Sequence, residues 1–198
     1  MNVKKMMKTG AAAALLVVAV AGCSGEQAKS ASPVALIVSN TQNLQQIDLA
    51  PAAPNCDQDV GTILMQAVLK NPTPIPDGTP GQTQFNDVRI TSYRVSYVRT
   101  DGGKQVPAPF VRTIDSLLTT GGGATSLSKF LIVQGDALSQ APFVALRTEN
   151  GGRDPETGRP VVMMDVIVEL FGETLSGERV SGSTRFPLDF CYNCNGCA

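Results

Sequence analysis

Four of the five cysteines in this 198-residue chain are the residues best placed to do chemistry. Cys191, Cys194 and Cys197 stand three apart at the end of the sequence, and Cys56 lies far upstream. Such a set supports structural disulfides, a four-thiolate metal site, or a redox pair within Cys194-Asn195-Gly196-Cys197. A redox pair needs a helix amino terminus to lower its thiol pKa, and only one residue follows Cys197. The chain contains no histidine, which removes Ser-His-Asp and Cys-His catalysis and every histidine-ligated zinc, copper or haem site. Asp165 and Glu169 are candidate paired carboxylates, but they fall on the outward parity of a strand pattern, where solvated charge belongs. Asp154 and Glu156, with the carbonyls of Asn150-Gly151-Gly152, offer oxygen ligands for calcium. Their spacing fits no known calcium loop, so the plain reading is a Gly/Pro-rich turn. Met163 and Met164 invite a soft-metal reading, yet Met164 shares the core parity with Met65 in its own strand, and core filling accounts for both. Gly121-Gly122-Gly123 is not followed by Gly-Lys-Ser/Thr, so the sequence predicts a hairpin turn rather than a phosphate loop. No catalytic residue, metal ligand or cofactor site is assigned.

Compartment separates the readings of the cysteines. Lys4, Lys5 and Lys8 precede an apolar run, Ala11 to Ala21, and then Val20-Ala21-Gly22-Cys23, the layout of a secretory signal peptide. The run is shorter than the roughly 20 residues a membrane-spanning helix needs. Exported thiols are generally oxidised, which favours disulfides over metal for Cys56, Cys191, Cys194 and Cys197. Without the leader about 175 residues remain with a net charge near −4. That is the size of one domain, and it lacks the basic footprint of a nucleic-acid binder. Ser24 to Ser32 is small and polar, a flexible tether with a reach of about 17 Å.

From Val34 onward the apolar period is two. Strands are predicted at Val34 to Val38, with Leu44 to Leu49 continuing or pairing with it, and at Ile63 to Leu69. Pro72 to Gln84 reads as a long loop. In Asn86 to Thr100 the apolar parity switches between Ile90 and Tyr93, which predicts a bulge near Thr91-Ser92. Asp101-Gly102-Gly103 is then a hairpin turn, with a short returning strand toward Val106 limited by Pro107 and Pro109. Further strands are predicted at Phe110 to Leu118 and Leu127 to Val133, and Asp136 caps one helical turn in a crossover stopped by Pro142. Val162 to Leu170 and Val180 to Phe190 alternate as half-buried antiparallel strands. About eight short strands with almost no helix predict an all-β fold, an immunoglobulin-like antiparallel β-sandwich, with a closed β-barrel as the alternative.

Two resemblances add to this reading. Val20 to Cys23 resembles the lipobox of bacterial lipoproteins, which implies that Cys23 receives a diacylglyceryl group and becomes the first mature residue. Ser24, rather than aspartate, follows it, which in the sorting pattern of enteric bacteria implies the outer membrane. The stretches NDVRITSYRVSYVRTDGG…VPAPF and ELFGETLSGERVSGSTRFPLDF resemble an uncharacterised group of bacterial exported lipoproteins with a single immunoglobulin-like β domain, a group that supplies no catalytic residues. The expected organisation is a signal peptide over 1–22, lipidated Cys23 and tether over 23–32, and a β-sandwich with a Cys-rich end over 33–198. The expected role is that of a non-enzymatic interaction or envelope-structure module. It would be held to the membrane by lipid and matched to an envelope protein partner. The alternative is a periplasmic metal or small-ligand binder using the terminal cysteines. Four cysteines allow three pairings; the parity of the last strand favours Cys56–Cys191 with Cys194–Cys197.

Overall fold

The computed structural model describes residues 32–41, 46–50, 62–72, 83–128 and 130–194. Alternating apolar side chains build eight strands: β1 (Val34–Asn40), β2 (Gln46–Asp48), β3 (Thr62–Leu69), β4 (Val88–Arg99), β5 (Phe110–Leu118), β6 (Thr125–Ser128), β7 (Val162–Thr174) and β8 (Arg179–Cys191). Short 3-10 turns are the only helical pieces among the described residues. The strands form two sheets, β1-β3-β6 and β2-β8-β7-β4-β5, whose inward rows meet in one core. The chain is therefore an all-β sandwich of two separate sheets, not a closed barrel.

The predicted change of parity in β4 is a bulge. Ile90 pairs with Gly172 while Ser92 pairs with Phe171, so Thr91 is the extra residue. Val88 and Ile90 are buried before it, and Tyr93, Val95 and Tyr97 after it. The bulge presses its backbone onto β7, where a Cβ on residue 172 would lie 2.4 Å from the Arg89 carbonyl oxygen. Glycine there is a steric requirement.

Four connections differ from the sequence reading. β2 pairs not with β1 but with β8, in parallel, so the first part of the chain contributes to both sheets. After Arg99 the chain does not return as a strand at Val106. Asp101 accepts the Gly103 N–H at 3.2 Å and Glu156 accepts those of Lys104 and Gln105, which holds a loop in place of a ladder. Thr119 to Gly123 is not a hairpin turn, because β5 and β6 lie in different sheets. Thr120 is buried at this crossing, its N–H donating to Asp87 Oδ1 at 2.9 Å, and Gly121 N–H donates to the Ala67 carbonyl at 3.0 Å.

The predicted strand to Val133 stops at Ser128. Two core tyrosines divert the chain: Tyr97 Oη donates to the Ile132 carbonyl, and the Leu131 N–H donates to Tyr93 Oη at 3.1 Å. The segment then crosses to β7 through 3-10 turns at Gly135–Ser139, Phe143–Leu146 and Thr148–Asn150. Asp136 lies in the first turn of Gly135–Ser139 without capping it; the cap position is Gln134. Phe130 packs edge-on against Tyr93 at 6.0 Å, and Phe143 lies 5.0 Å from Phe190. The crossover is thus an aromatic plug packed into the core against β4 and β8.

The sheets approach most closely where β1 crosses β8. At residue 182 a Cβ would lie 2.5 Å from the Leu36 carbonyl oxygen and 2.8 Å from Val38 Cγ2. Gly182→Ala therefore has to push the sheets apart and is expected to cost about 1–3 kcal/mol, the usual range for overpacking. Gly135→Ala, with open space around its Cβ position, is expected to stay near zero. Urea unfolding of the two variants checks the contrast.

Candidate functional site

Two polar assemblies end the five-stranded sheet. The first grows from Arg99, the last residue of β4, whose side chain is 2% exposed. A buried guanidinium must satisfy all its donors. Arg99 Nε donates to Asp101 Oδ1 at 2.7 Å and Nη2 to Asp101 Oδ2 at 2.9 Å. Nη2 also donates to Asp154 Oδ2 at 2.7 Å, and Nη1 to the Gln105 carbonyl at 3.1 Å. Glu156 stands 3.7 Å from Nη1. Asp154 Oδ2 is bound in addition by the N–H and hydroxyl of Thr157, and Asp101 Oδ2 by the Met163 N–H.

The cluster sets its own titration. Burial by itself would raise Asp101, but the Arg99 hydrogen bonds, the Met163 and Gly103 N–H groups and the Arg99 charge outweigh it and hold the carboxyl at about 2. Asp154 is lowered by the same contest between burial and Arg99, with help from Thr157. Arg99 is raised, since its two aspartates more than offset burial. Asp189 shifts the other way, upward, through burial and the nearby Asp101 charge.

This geometry answers the calcium question for Asp154 and Glu156. The two do converge, but on a guanidinium: Asp154 Oδ2 is bound by Arg99 and Thr157, and Glu156 Oε2 by the N–H groups of Lys104 and Gln105. Gly151 and Gly152 instead close a turn onto the carbonyls of Thr148 and Arg147. Among the described residues no group of three or more cysteine, aspartate or glutamate side chains is placed to hold a metal ion. Sequence reading missed Arg99, whose only local sign is an aspartate two residues on. Asp165 and Glu169 point outward as predicted, each bound across the sheet by an arginine. Arg185 Nε reaches Asp165 at 2.9 Å and Arg94 Nε reaches Glu169 at 2.6 Å. Met65 and Met164 are fully buried in the core, while Met163 lies at the surface.

The second assembly holds the terminal cysteines. Cys191 ends β8, buried, and is disulfide-bonded to Cys194 with the Cα atoms 6.0 Å apart. This corrects the preferred pairing of Cys191 with Cys56: the turn after β8 brings Cys194 back onto Cys191 before any distant partner is needed. Cys23, Cys56 and Cys197 lie outside the described residues. Asp48, buried at the end of β2, organises the turn. Its Oδ1 accepts the N–H groups of Ala50 and Asn193, each at 2.9 Å, and its Oδ2 that of Cys194 at 3.0 Å. Asn193 takes the left-handed conformation, φ 53°, which asparagine tolerates. The parallel pairing of β2 with β8 sets Asp48 beside Cys191.

Two outcomes follow. Asp101 ionises far more readily in the folded chain than in the unfolded one, near 3.9, so its stabilisation is complete above about pH 5 and is lost as pH falls through about 2. The loss is on the order of 2 kcal/mol, and Arg99→Met, which leaves buried carboxylates unpaired, should remove that acid dependence while costing about 3–5 kcal/mol at neutral pH. Denaturant titrations between pH 2 and 6 measure both. Asp48→Ala strands three N–H groups and is expected to cost about 1–3 kcal/mol, with faster reduction of Cys191–Cys194 by dithiothreitol; thiol mapping during reduction reads this.

Compared with known protein families, curated proteins and solved structures, the chain matches none.

Proposed function

We propose that this chain is a lipoprotein of the bacterial outer membrane, anchored through Cys23, whose β-sandwich serves as a non-enzymatic interaction or envelope-structure module. The observation that carries this reading is the basic, apolar and small-residue series that ends in Val20-Ala21-Gly22-Cys23. The start of the domain supports it. Ser32 is already buried, its Oγ accepting the Val34 N–H at 3.2 Å, and the Lys70 N–H donates to the Pro33 carbonyl at 2.8 Å. The described domain thus begins at Ser32, one residue before the expected boundary. A strand order in which β1 and β2 divide between the sheets, and β3 and β6 face β4, β7 and β8, supports the immunoglobulin-like assignment.

A non-enzymatic role is supported by what the polar groups do. Arg94 and Arg185 bind Glu169 and Asp165, the carboxylates that were candidates for acid–base work, and Arg99 binds Asp154, a candidate calcium ligand. The alternative, a metal or small-ligand binder using the terminal cysteines, has two of its four thiols committed to the Cys191–Cys194 bond. A partner in the envelope is a protein rather than a nucleic acid, given the net negative charge of the mature chain.

Cys23→Ser is expected to abolish incorporation of a palmitate analogue in labelled cells and to release the protein from the membrane fraction. Unchanged labelling would overturn the anchor.

A further inference from the structure

β5 ends the five-stranded sheet, hydrogen-bonded to β4 on one side and to no strand on the other among the described residues. The other sheet ends differ. β2 and β6 are three and four residues long, and β1 is pressed against β8 at Gly182. β5 has nine residues, Phe110 to Leu118, with no proline or lysine among them; its charged side chains are Arg112 and Asp115, and Asp115 is held by Arg89 in its own chain. Its outward side chains are Val111, Thr113, Asp115 and Leu117, and the two apolar ones are 63% and 57% exposed. Against β4 the register shifts at Ile114-Asp115, two residues standing opposite Thr91, and the inward positions Phe110, Arg112, Ile114, Ser116 and Leu118 keep one parity through it.

The spacing is self-complementary. Two copies of a strand paired antiparallel about a two-fold axis normal to the sheet keep outward residues on one face, so the axis passes through a residue. With the axis at Ile114, Val111 faces Leu117 of the second copy on both sides of the axis and Ile114 faces its own counterpart. Arg112 then faces Ser116, Thr113 faces Asp115, and Phe110 faces Leu118. Asp115 remains neutralised by Arg89, at 2.9 Å in its own copy. Moving the axis to Arg112 or Asp115 sets like charges face to face, and moving it to Thr113 or Ser116 sets an aspartate against Val111 or Leu117.

We propose that β5 is the docking edge for a second copy of this chain, joined antiparallel about Ile114 so that two five-stranded sheets become one. Main-chain hydrogen bonds supply the attraction, and the Val111–Leu117 and Ile114–Ile114 contacts fix the register. The proposal goes beyond the anchored-module reading by naming the partner. It stands or falls separately from lipidation, which palmitate labelling reads on its own.

The test uses the full-length protein purified in mild detergent, with protein mass measured by light scattering after subtracting the micelle. Wild type is expected at twice the chain mass. Val111→Lys with Leu117→Lys is expected to weaken dimerisation about tenfold or more, since each contact is repeated by symmetry, with an unchanged far-ultraviolet spectrum because both side chains are exposed. A second measurement does not rely on that variant: a photo-crosslinking phenylalanine analogue at position 111, activated in cells, should attach to residues 116–118 of another copy. A monomer at every concentration, a dimer indifferent to the two lysines, or crosslinks from position 111 only to a different protein would each overturn the proposal.

Discussion

Val162, Met164, Val166, Val168 and Leu170 of β7 are fully buried, and a strand can bury such a row only with both edges hydrogen-bonded and its inner face covered. β4 and β8 supply the edges, in register over almost the whole of β7. The sheet β1-β3-β6 and the aromatic plug between β6 and β7 supply the cover. At about 1.5–3 kcal/mol for each fully buried aliphatic side chain, the row contributes an amount comparable to the entire net stability of an ordinary domain. The Thr91 bulge belongs to the same constraint. It keeps β4 facing the core on both sides of a break in parity and requires glycine at position 172.

The polar assemblies at the sheet ends do a different task. A buried arginine with its carboxylates contributes little net stability, because desolvation consumes most of the attraction. What Arg99 supplies is position: one guanidinium ties the loop after β4 to the loop before β7, and both carboxylates keep their charge because it is there. Asp48 does the same for the turn after β8, accepting three N–H groups that no strand partner reaches. The carboxylates are therefore scaffold rather than reagents. Side chains at the surface then carry any business with partners, and β5, which ends its sheet among the described residues, offers exposed apolar groups.

Much of this architecture was legible in the residue pattern because alternation is a local property. Parity alone placed Val34 to Val38, Ile63 to Ala67, the two halves of β4 and the long β7–β8 pair, and it located the bulge, since a change of parity within one strand has no other cheap explanation. It also marked Met65 and Met164 as core and Asp165 and Glu169 as surface.

Which strands become neighbours depends on contacts between residues far apart in sequence, and there the pattern is silent. A glycine-rich stretch between two strands reads the same whether they pair or separate into different sheets, so Thr119 to Gly123 was assigned to a hairpin it does not form. Leu127 to Val133 has a strand's composition, but Tyr93 and Tyr97 claim the backbone of its second half. Asp154 and Glu156 announced oxygen ligands, while the ligand they meet, Arg99, is 55 residues from Asp154 along the chain. The sequence by itself determined the alternation, the all-β class and the supply of cysteines and charges, all of which follow from side-chain chemistry within a few residues. Only the tertiary structure decided that β2 runs parallel to β8, setting Asp48 under the Cys191–Cys194 turn, and that β5 ends its sheet among the described residues, because each depends on which residues far apart in sequence are brought side by side.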